Sequence, residues 1–379
     1  MRLLLFFSLL IGTFSSNAQE SNFIIKKVTV FDGEQVLEDM DVVVREGKID
    51  AVLKSKKKNE KGLEVVEGKG KFLMPGLMNA HVHAWAPDQT KEAALAGVLT
   101  VFDMMGNPFS MQMNKNAAEK AQHASYFSAG FGATVPGGHG TQFGLEVPTI
   151  KSDEDIIPFV QARVDENVDY LKILYEPLME ALTPQQVNAL IQEAHRQELL
   201  AVTHISFLEN ALEVAEFGGD GLVHSWFDKV ASDEQIDQLA ESGIWIVPTA
   251  LVIKLYLPLT RKNFDVDVID EEGLLENIRK MYQADILLLA GTDPPNAQIN
   301  YGTDLYKELY LFRDAGLTPI DILKTATSNV AKAFQLDDRG LIQPGLRADL
   351  LLIDGNPLER IEDVEKIERI WKAGELVED

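Results

Sequence analysis

Short apolar runs, each the length of one buried strand, alternate with amphipathic stretches through the middle of this sequence. One such stretch, Pro184–Glu198, begins with Thr183 as N-cap and Pro184 at the first helical position. Strands that are buried on both faces and joined by helices form parallel sheets, and eight such units close a barrel. The eight runs are Leu77–His83, Val98–Met104, Tyr126–Val135, Tyr170–Tyr175, Leu200–Ser206, Gly221–Trp226, Ile244–Leu251 and Ile286–Asp293. We therefore expect an α/β fold with a (β/α)8 TIM-like barrel.

A doubly wound open sheet is the competing architecture for this alternation. That fold usually carries a glycine-rich phosphate loop directly after a strand. No run in this sequence leads into such a loop, so the barrel is favoured.

Short alternating strands flank the barrel region on both sides. Phe23–Val30 and Asp41–Arg45 precede it, while Leu350–Ile353 and Ile367–Ala373 follow it. Because these segments bracket the barrel, we expect them to pair with each other as a small β-sandwich. The expected boundaries are 19–73 for the first part of the sandwich, 74–339 for the barrel and 340–379 for the second part.

The beginning of the chain, residues 1–18, has the pattern of a secretory signal peptide. Arg2 precedes the apolar run Leu3–Phe14, and Ser16–Ala18 supplies small residues for cleavage. The apolar run is too short to cross a bilayer. The absence of cysteine excludes disulfides, thiolate catalysis and a lipid-modified cysteine anchor. We expect an exported protein, periplasmic or secreted, without a stable membrane anchor.

The charge balance is strongly acidic and bears on the expected partners. Asp and Glu number 59 against 35 Lys and Arg, which gives a formal net charge of −24. A surface of this sign repels phosphate backbones, so nucleic acid is excluded. The expected partner is a small-molecule substrate, and association into a homo-oligomer is left open.

Histidines and one aspartate lie where a barrel places its active site, at the carboxyl ends of the strands. His81 and His83 end the first run, and their i, i+2 spacing directs both rings to one face. His204, His224 and Asp293 end the fifth, sixth and eighth runs. A lone histidine is usually structural, whereas this convergence favours a set of metal ligands.

Lys172 lies in an apolar strand segment, Tyr170–Tyr175. Burial of an isolated ammonium costs several kcal/mol unless its charge is removed or paired. One solution is a lowered pKa, which leaves a neutral amine that reacts with carbon dioxide to give a carbamate able to bridge two cations. The alternative is a lysine at the strand end that reaches solvent or an acidic partner.

These residues resemble the amidohydrolase superfamily of metal-dependent hydrolases over nearly all of the chain. The segment Gly137–Gly140, with its His139, and the strand-four lysine are similar to dipeptidases and carboxypeptidases of the imidazolonepropionase-like group. The superfamily elements that match are Pro75–His83, Lys172, His204, His224, Gly291–Asp293 and the tail Gly340–Leu350.

The resemblance implies a site with two divalent metal ions, most often Zn²⁺. His81, His83 and Asp293 would bind one ion, and His204 and His224 the other. Lys172, carboxylated by carbon dioxide, and a hydroxide would bridge the ions. Asp293 would act catalytically by taking a proton from the bridging water and delivering it to the leaving amine.

Several further residues are candidates for substrate binding. His139 lies after a glycine pair in the loop that follows the third run. Tyr175 and Trp226, with Phe143, are expected to wall an apolar pocket. The stretch Lys254–Asp265 is long enough for a loop that acts as a lid, and its cations Lys254, Arg261 and Lys262 are candidates to hold a substrate carboxylate.

The expected activity is hydrolysis of an amide C–N bond in a peptide or N-acyl amino acid. The same site would also open a lactone, a cyclic amide or a carbamate, and the motifs do not separate these substrates. A binding protein without turnover would be expected to lack one or more of the ligand positions, and all six are filled here.

Overall fold

The computed structural model describes residues 22–56, 62–144, 146–263 and 266–379. Seven barrel strands form two parallel sheets in these ranges. The first sheet has the order β6-β7-β8 and the second the order β12-β11-β10-β9. The strands are β6 Leu77–Val82, β7 Val98–Asp103, β8 Ser125–Ser128, β9 Leu171–Leu174, β10 Ala201–His204, β11 Gly221–Val223 and β12 Trp245–Val247.

Backbone hydrogen bonds link the two sheets to each other and to the eighth apolar run. Ala133 pairs with Ile173 beside β9 in a parallel bridge, and Ile246 of β12 pairs with Leu288 in the same way. The N–H of Ala80 in β6 donates to the carbonyl of Ala290 at 2.9 Å. The eighth run therefore lies between the last strand and the first, as the predicted order of a barrel requires.

Helices connect and cover the strands. The N-terminus of α4 has the predicted cap, because the Thr183 hydroxyl accepts the N–H of Gln186 at 3.2 Å. Leu190 of α4 packs in one core cluster with Leu171 and Ile173 of β9, so this strand buries one face under the helices. The helices are α1 Pro87–Leu95, α2 Pro108–Ala117, α3 Ile156–Asp165, α4 Pro184–Arg196, α5 Leu208–Glu216, α6 Asp233–Ser242, α7 Ala250–Asn263, α8 Glu271–Gln283, α9 Asp304–Asp314, α10 Pro319–Thr325 and α11 Ser328–Ala333.

The two terminal segments share one eight-stranded sheet. Its order is β15-β14-β13-β5-β1-β2-β3, with β4 also paired to β1. The predicted pairing of the two ends is confirmed, since β13 runs antiparallel to β5. The second layer of a sandwich and the domain boundaries stay predictions. The strands are β1 Phe23–Phe31, β2 Val36–Arg45, β3 Lys48–Lys54, β4 Glu64–Glu67, β5 Phe72–Pro75, β13 Leu350–Ile353, β14 Ile367–Lys372 and β15 Glu375–Leu376.

A single residue, Gly76, separates the terminal sheet from the first barrel strand. It lies between Pro75, the last residue of β5, and Leu77, the first of β6. A side chain at this position would collide with Leu99, because an added Cβ would lie 2.5 Å from Cδ1 of that leucine. The N–H of Gly76 donates to the carbonyl of Asp349 at 2.9 Å. The terminal sheet is therefore fixed directly to the strand that bears His81.

Lys372 joins the other end of the chain to the barrel region. It ends β14, and its ammonium donates to the carbonyls of Ala118, Lys120 and His123 at 2.5, 3.0 and 2.7 Å. Burial lowers the pKa of Lys372 to about 8. Three carbonyl acceptors replace the lost water, which makes this contact a fixed link rather than a surface contact.

Two sequence predictions about local structure are wrong. The third run, predicted as Tyr126–Val135, keeps its ladder only over β8. The stretch from Lys254, predicted as a loop, belongs to α7. Thr249, with φ +47°, ends the extended backbone before this helix. Apolar residues then recur with helical spacing, which allows one face to be buried.

Among the described residues, no helix combines the length and apolar character that a membrane crossing requires. The predicted signal peptide lies outside the described residues.

Candidate metal centre

Two histidines of the first barrel strand meet Asp293 at the carboxyl end of the barrel. Nε2 of His81 lies 3.2 Å, and Nε2 of His83 3.0 Å, from Oδ1 of Asp293. Because β6 is extended, residues two apart lie on the same face. The N–H of Asp293 donates to the carbonyl of His81 at 2.9 Å. These three predicted ligands therefore form one group.

The backbone around Asp293 is held by neighbouring polar groups. Asn79 donates from Nδ2 to the Thr292 hydroxyl at 2.7 Å, and its Oδ1 accepts the N–H of Thr292 at 3.2 Å. Asn296 donates from Nδ2 to Oδ1 of Asp293 at 3.0 Å. Asp293 has φ +61°, a strained conformation for a non-glycine residue that is often found at functional sites. This strain positions its carboxylate over the first strand.

His204 and His224 bring the fifth and sixth strands into the same cavity. His204 ends β10, and His224 directly follows β11. Their ring centroids are 4.7 Å apart, and the His224 ring is 4.8 Å from that of His81. The hydroxyl of Thr249 lies 2.6 Å from Nδ1 of His224 and fixes that ring. His224 thus lies between His81 and His204.

Lys172 lies in the same cavity without a partner for its amine. The residue is 1 % exposed, and Nζ has no hydrogen-bond acceptor. Burial lowers the pKa of Lys172 to about 7, against a smaller opposing effect of Asp293. A buried amine that titrates near neutrality is available in its uncharged form, the form that reacts with carbon dioxide.

Glu176 is a buried member of the site that the sequence interpretation missed. Its Oε2 lies 3.0 Å from Nε2 of His204 and accepts the Ser206 hydroxyl at 2.5 Å. Its Oε1 accepts the N–H of Leu178 at 2.9 Å. Lys172 and Glu176 are four residues apart, so the period-two alternation of a strand places them on one side. That periodicity was the available signal.

Three histidines of the site, His81, His204 and His224, are held as neutral imidazoles. Burial lowers the pKa of His81 to about 4, and it takes the pKa of His204 and His224 well below the usual value. For Asp293, burial opposes ionisation, but the adjacent His81 and His83 bring its pKa well below the usual value. Neutral imidazole and ionised carboxylate are the forms that bind metal ions.

The donor set fits divalent metal ions. Nδ1 of His81, Nδ1 of His83 and Nζ of Lys172 are buried without hydrogen-bond partners. Imidazole nitrogen with carboxylate oxygen is typical of zinc sites. Two groups of side chains have their ligand atoms within 4.8 Å of one another: His81, His224 and Asp293, and His139, Glu176 and His204.

This grouping differs from the predicted division of ligands between two ions. The sequence interpretation placed His204 with His224, whereas the structure places Glu176 and His139 beside His204. The His139 ring stacks on the His204 ring with centroids 4.5 Å apart. His139 therefore lies in the cavity as predicted, but close enough to serve as a ligand as well as a substrate contact.

Two predicted pocket residues lie elsewhere. The hydroxyl of Tyr175 donates to Oε2 of Glu213 on α5 at 2.6 Å, and its ring belongs to the main core cluster. Trp226 is fully buried in the same core. Neither residue lines the cavity, whereas Phe143 and Phe227 do. Tyr175 follows Leu174, which faces the cavity, and strand alternation turns Tyr175 to the helices.

The cavity extends from the candidate metal ligands to the inner face of α7. It has a volume of about 590 Å³ and includes the carboxyl ends of several barrel strands. Such a volume is within the range of small-molecule sites. Val252, Tyr256 and Thr260 line it from successive turns of α7, so the stretch predicted as a lid covers the cavity as a helix.

A buried carboxylate from a distant helix fixes the start of α7. Glu308 of α9 accepts the N–H groups of Ala250 and Leu251, both at 2.8 Å. Its residue is 0 % exposed. Burial raises the pKa of Glu308 from 4.5 to about 8, although the two N–H donors act in the opposite direction. Glu308 supplies acceptors that the first turn of a helix otherwise lacks.

We expect Glu308 to make stability depend on pH. The folded protein retains a proton on Glu308 between pH 4.5 and about 8, whereas the unfolded chain releases it. The free energy of unfolding should therefore fall as the pH rises through this window, by on the order of 5 kcal/mol in total. Urea unfolding across the window measures the slope.

Two isosteric variants test whether Glu308 causes this pH dependence of the free energy of unfolding. Glu308→Gln removes the titration and should flatten the slope, whereas Glu375→Gln alters an exposed residue and should not. A wild-type slope that persists in Glu308→Gln would show that another group is responsible.

Asp103 is a second buried carboxylate that the sequence interpretation missed. It ends β7 and accepts the Tyr126 and Ser128 hydroxyls, each at 2.7 Å. It also accepts the N–H of Ala84, the residue after His83, at 3.0 Å. Burial raises its pKa. Asp103 holds the loop after the first strand in place and thereby supports His83.

Comparison of the sequence and the fold with known proteins identifies similar proteins. Residues 72–377 match the sequence model of the Amidohydrolase family. An imidazolonepropionase of Deinococcus deserti is 23% identical over 90% of this chain and 92% of its own length. A Xaa-Pro dipeptidase structure with bound methionine is similar in fold, with a TM-score of 0.79, 21% identity and coverage of 95% of this chain and 100% of the other. A putative prolidase from Bifidobacterium longum gives a TM-score of 0.80 at 22% identity, with 95% of each chain covered.

Proposed function

Because the chain belongs to the amidohydrolase family, whose structures have a TIM-barrel fold and whose members are hydrolases that use divalent metals, we propose that it hydrolyses an amide C–N bond with a metal-activated water. One observation carries this proposal: neutral His81 and His224, ionised Asp293 and an unpartnered Lys172 converge in one cavity. Metal-dependent release of amine from an amide panel, abolished by a chelator and restored by metal, is the test.

The proposed centre holds two ions, most simply Zn²⁺. His81, His83, His224 and Asp293 surround one position, and His204 with Glu176 and His139 the other. Lys172, carboxylated by carbon dioxide, would add an anionic ligand between them. When bound, the metal ions would lower the pKa of water and polarise the scissile carbonyl.

Asp293 is the proposed proton carrier. Its Oδ1 is engaged by His81, His83 and Asn296, which fixes the carboxylate. An ionised carboxylate at this position takes a proton from the attacking water and returns it to the amine nitrogen as the C–N bond breaks. The products are a carboxylate and a protonated amine.

We expect metal analysis to find two ions per chain. The two ligand groups share no side chain, so they should load with distinguishable affinities. Metal is first removed with a chelator. Titration of the metal-free protein with Co²⁺, followed by absorption and by calorimetry, then measures both binding steps. Saturation at a single ion would exclude the binuclear centre and leave a mononuclear hydrolase.

Two substrate classes follow from this chemistry. The first is a peptide or N-acyl amino acid, as in the dipeptidase- and carboxypeptidase-like reading of the sequence. The second comprises amides, carbamates or lactones without a free acid. The composition of the cavity wall favours uncharged substrates, as argued below.

We also propose that the protein is exported. The support is the signal-like pattern of residues 1–18. The mature protein should begin near Gln19, which N-terminal sequencing of the protein from a fractionated cell measures. A full-length chain in the cytosolic fraction would contradict export.

A further inference from the structure

The wall of the cavity is apolar beyond the metal ligands. Helix α7 contributes Val252, Ile253 and Leu257, and the loop after β9 contributes Leu178 and Met179. Aromatic rings complete the wall on the other sides, among them Trp85, Phe131 and Phe227. Such a wall gains affinity by excluding water from apolar substrate groups.

Among the described residues that line the cavity, no cation is free to pair with a substrate carboxylate. Lys172 is the only lysine among the described residues that line the cavity, there is no arginine among them, and we assign Lys172 to the metal centre. Lys254 of α7, predicted to hold a carboxylate, pairs instead with Glu271 at 2.6 Å. Arg261 donates to the carbonyl of Val268 at 3.2 Å. Neither residue lines the cavity.

The geometry of α7 explains why these cations are excluded. Its cavity-facing residues recur at positions 252, 253, 256, 257 and 260, which is one face of a helix. Lys254 and Arg261 lie outside that set. A rotation of α7 that brought them in would break the contacts of Glu308 with Ala250 and Leu251.

Apart from the proposed metal ligands, the described residues that line the cavity carry no charge. The remaining polar groups away from the ligands are neutral, among them Asn107, Gln142 and Thr260. Neutral amides and hydroxyls bind a carbonyl or an N–H well, but they do not compensate a desolvated carboxylate.

From this wall we propose that the substrate is a neutral, apolar amide with no free carboxylate on either side of the scissile bond. Aryl and branched alkyl groups suit the aromatic and aliphatic sides of the cavity. This inference rests on the proposed amide hydrolysis and narrows its substrate.

The test compares two amides that differ only in one carboxylate. N-benzoyl-L-leucine carries the acid, and N-(3-methylbutyl)benzamide is the same molecule without it. With metal-loaded protein, kcat/KM should be at least about a hundredfold higher for the neutral amide, because burial of an unpaired carboxylate costs several kcal/mol. Equal rates, or a preference for the acid, would overturn the inference and leave amide hydrolysis intact.

Measuring the binding of the two amides separates failure of the substrate inference from failure of the proposed hydrolytic function. If neither amide is cleaved, the amide panel decides whether the proposed function fails, and calorimetry with the two amides still decides the substrate class. Tighter binding of the neutral amide supports the inference, and equal or weaker binding overturns it.

A matched pair of variants tests whether the lack of a cation causes the preference for neutral amides. Thr260 is half-buried on the cavity face of α7, so Thr260→Arg adds a cation there and Thr260→Gln adds similar polarity without charge. The affinity and the kcat/KM for the acid, each divided by the value for the neutral amide, should rise at least about tenfold in Thr260→Arg alone. A ratio that is unchanged, or that rises equally in both variants, would contradict charge as the determinant.

Discussion

Replacement of Asp293 by asparagine should lower kcat/KM by about a thousandfold or more while the protein stays folded. Asparagine preserves size and can still accept hydrogen bonds, but it does not take up a proton at neutral pH. General base catalysis by a positioned group contributes roughly a hundredfold to ten-thousandfold, and Asp293 also approaches His81 and His83 closely. Steady-state kinetics with excess metal measure the loss.

Two controls separate catalysis from folding and from metal loss. Asp354→Asn changes an exposed aspartate of the terminal segment and should retain the wild-type rate. Metal content and thermal unfolding of Asp293→Asn are measured in parallel, so that a low rate at full metal occupancy identifies proton transfer. A rate within tenfold of wild type would exclude Asp293 as the proton carrier.

Lys172→Ala should lose metal affinity by roughly a hundredfold or more, together with most activity. The amine of Lys172 is buried without a partner, and its lowered pKa leaves it reactive toward carbon dioxide. Without a carbamate, the two proposed ions would lose an anionic ligand and would repel each other more strongly. Metal titration by calorimetry and the rate of amide cleavage give the two readouts.

Rescue distinguishes a carbamate from a structural lysine. A short carboxylic acid should enter the space left in Lys172→Ala and restore part of the metal affinity and rate. Lys172→Met fills that space with an apolar chain and should not be rescued. The wild-type protein should show a carbamate carbon by NMR after exposure to labelled bicarbonate. Full activity of Lys172→Ala without added acid would exclude the carbamate.

Strand periodicity accounts for the parts of the site that the sequence predicted. His81 and His83 share one face of β6, and Lys172 lies on the inner face of β9. Both placements follow from the alternation of side chains in an extended chain. His204 and His224 follow from the position of strand ends in a barrel.

The same rule explains one misplaced residue and one omission. Leu174 and Glu176 have the parity of Lys172 and line the cavity, whereas Tyr175 has the opposite parity and contacts α5. Trp226 is different, because it lies beyond the end of β11, where strand alternation does not determine which way its buried side chain points.

Contacts between segments that are far apart in the sequence could not be predicted from local sequence patterns. Glu308 is 57 and 58 residues from the two N–H groups that it accepts, and no periodicity relates them. The helix α7 was missed because its apolar residues continue from the preceding strand, and a short apolar run does not distinguish the two structures. The sequence therefore predicted that the stretch from Lys254 covers the cavity, but not that it is helical.

The junction at Gly76 sets the order in which this protein can become active during its synthesis. The strand that bears His81 and His83 begins one residue after β5, and β5 pairs with β13, which starts at Leu350. A ribosome must therefore translate nearly the whole chain before β5, to which this strand is joined, acquires its last neighbour. We expect nascent chains that end before β13 to bind metal poorly, so that a half-made protein does not capture ions.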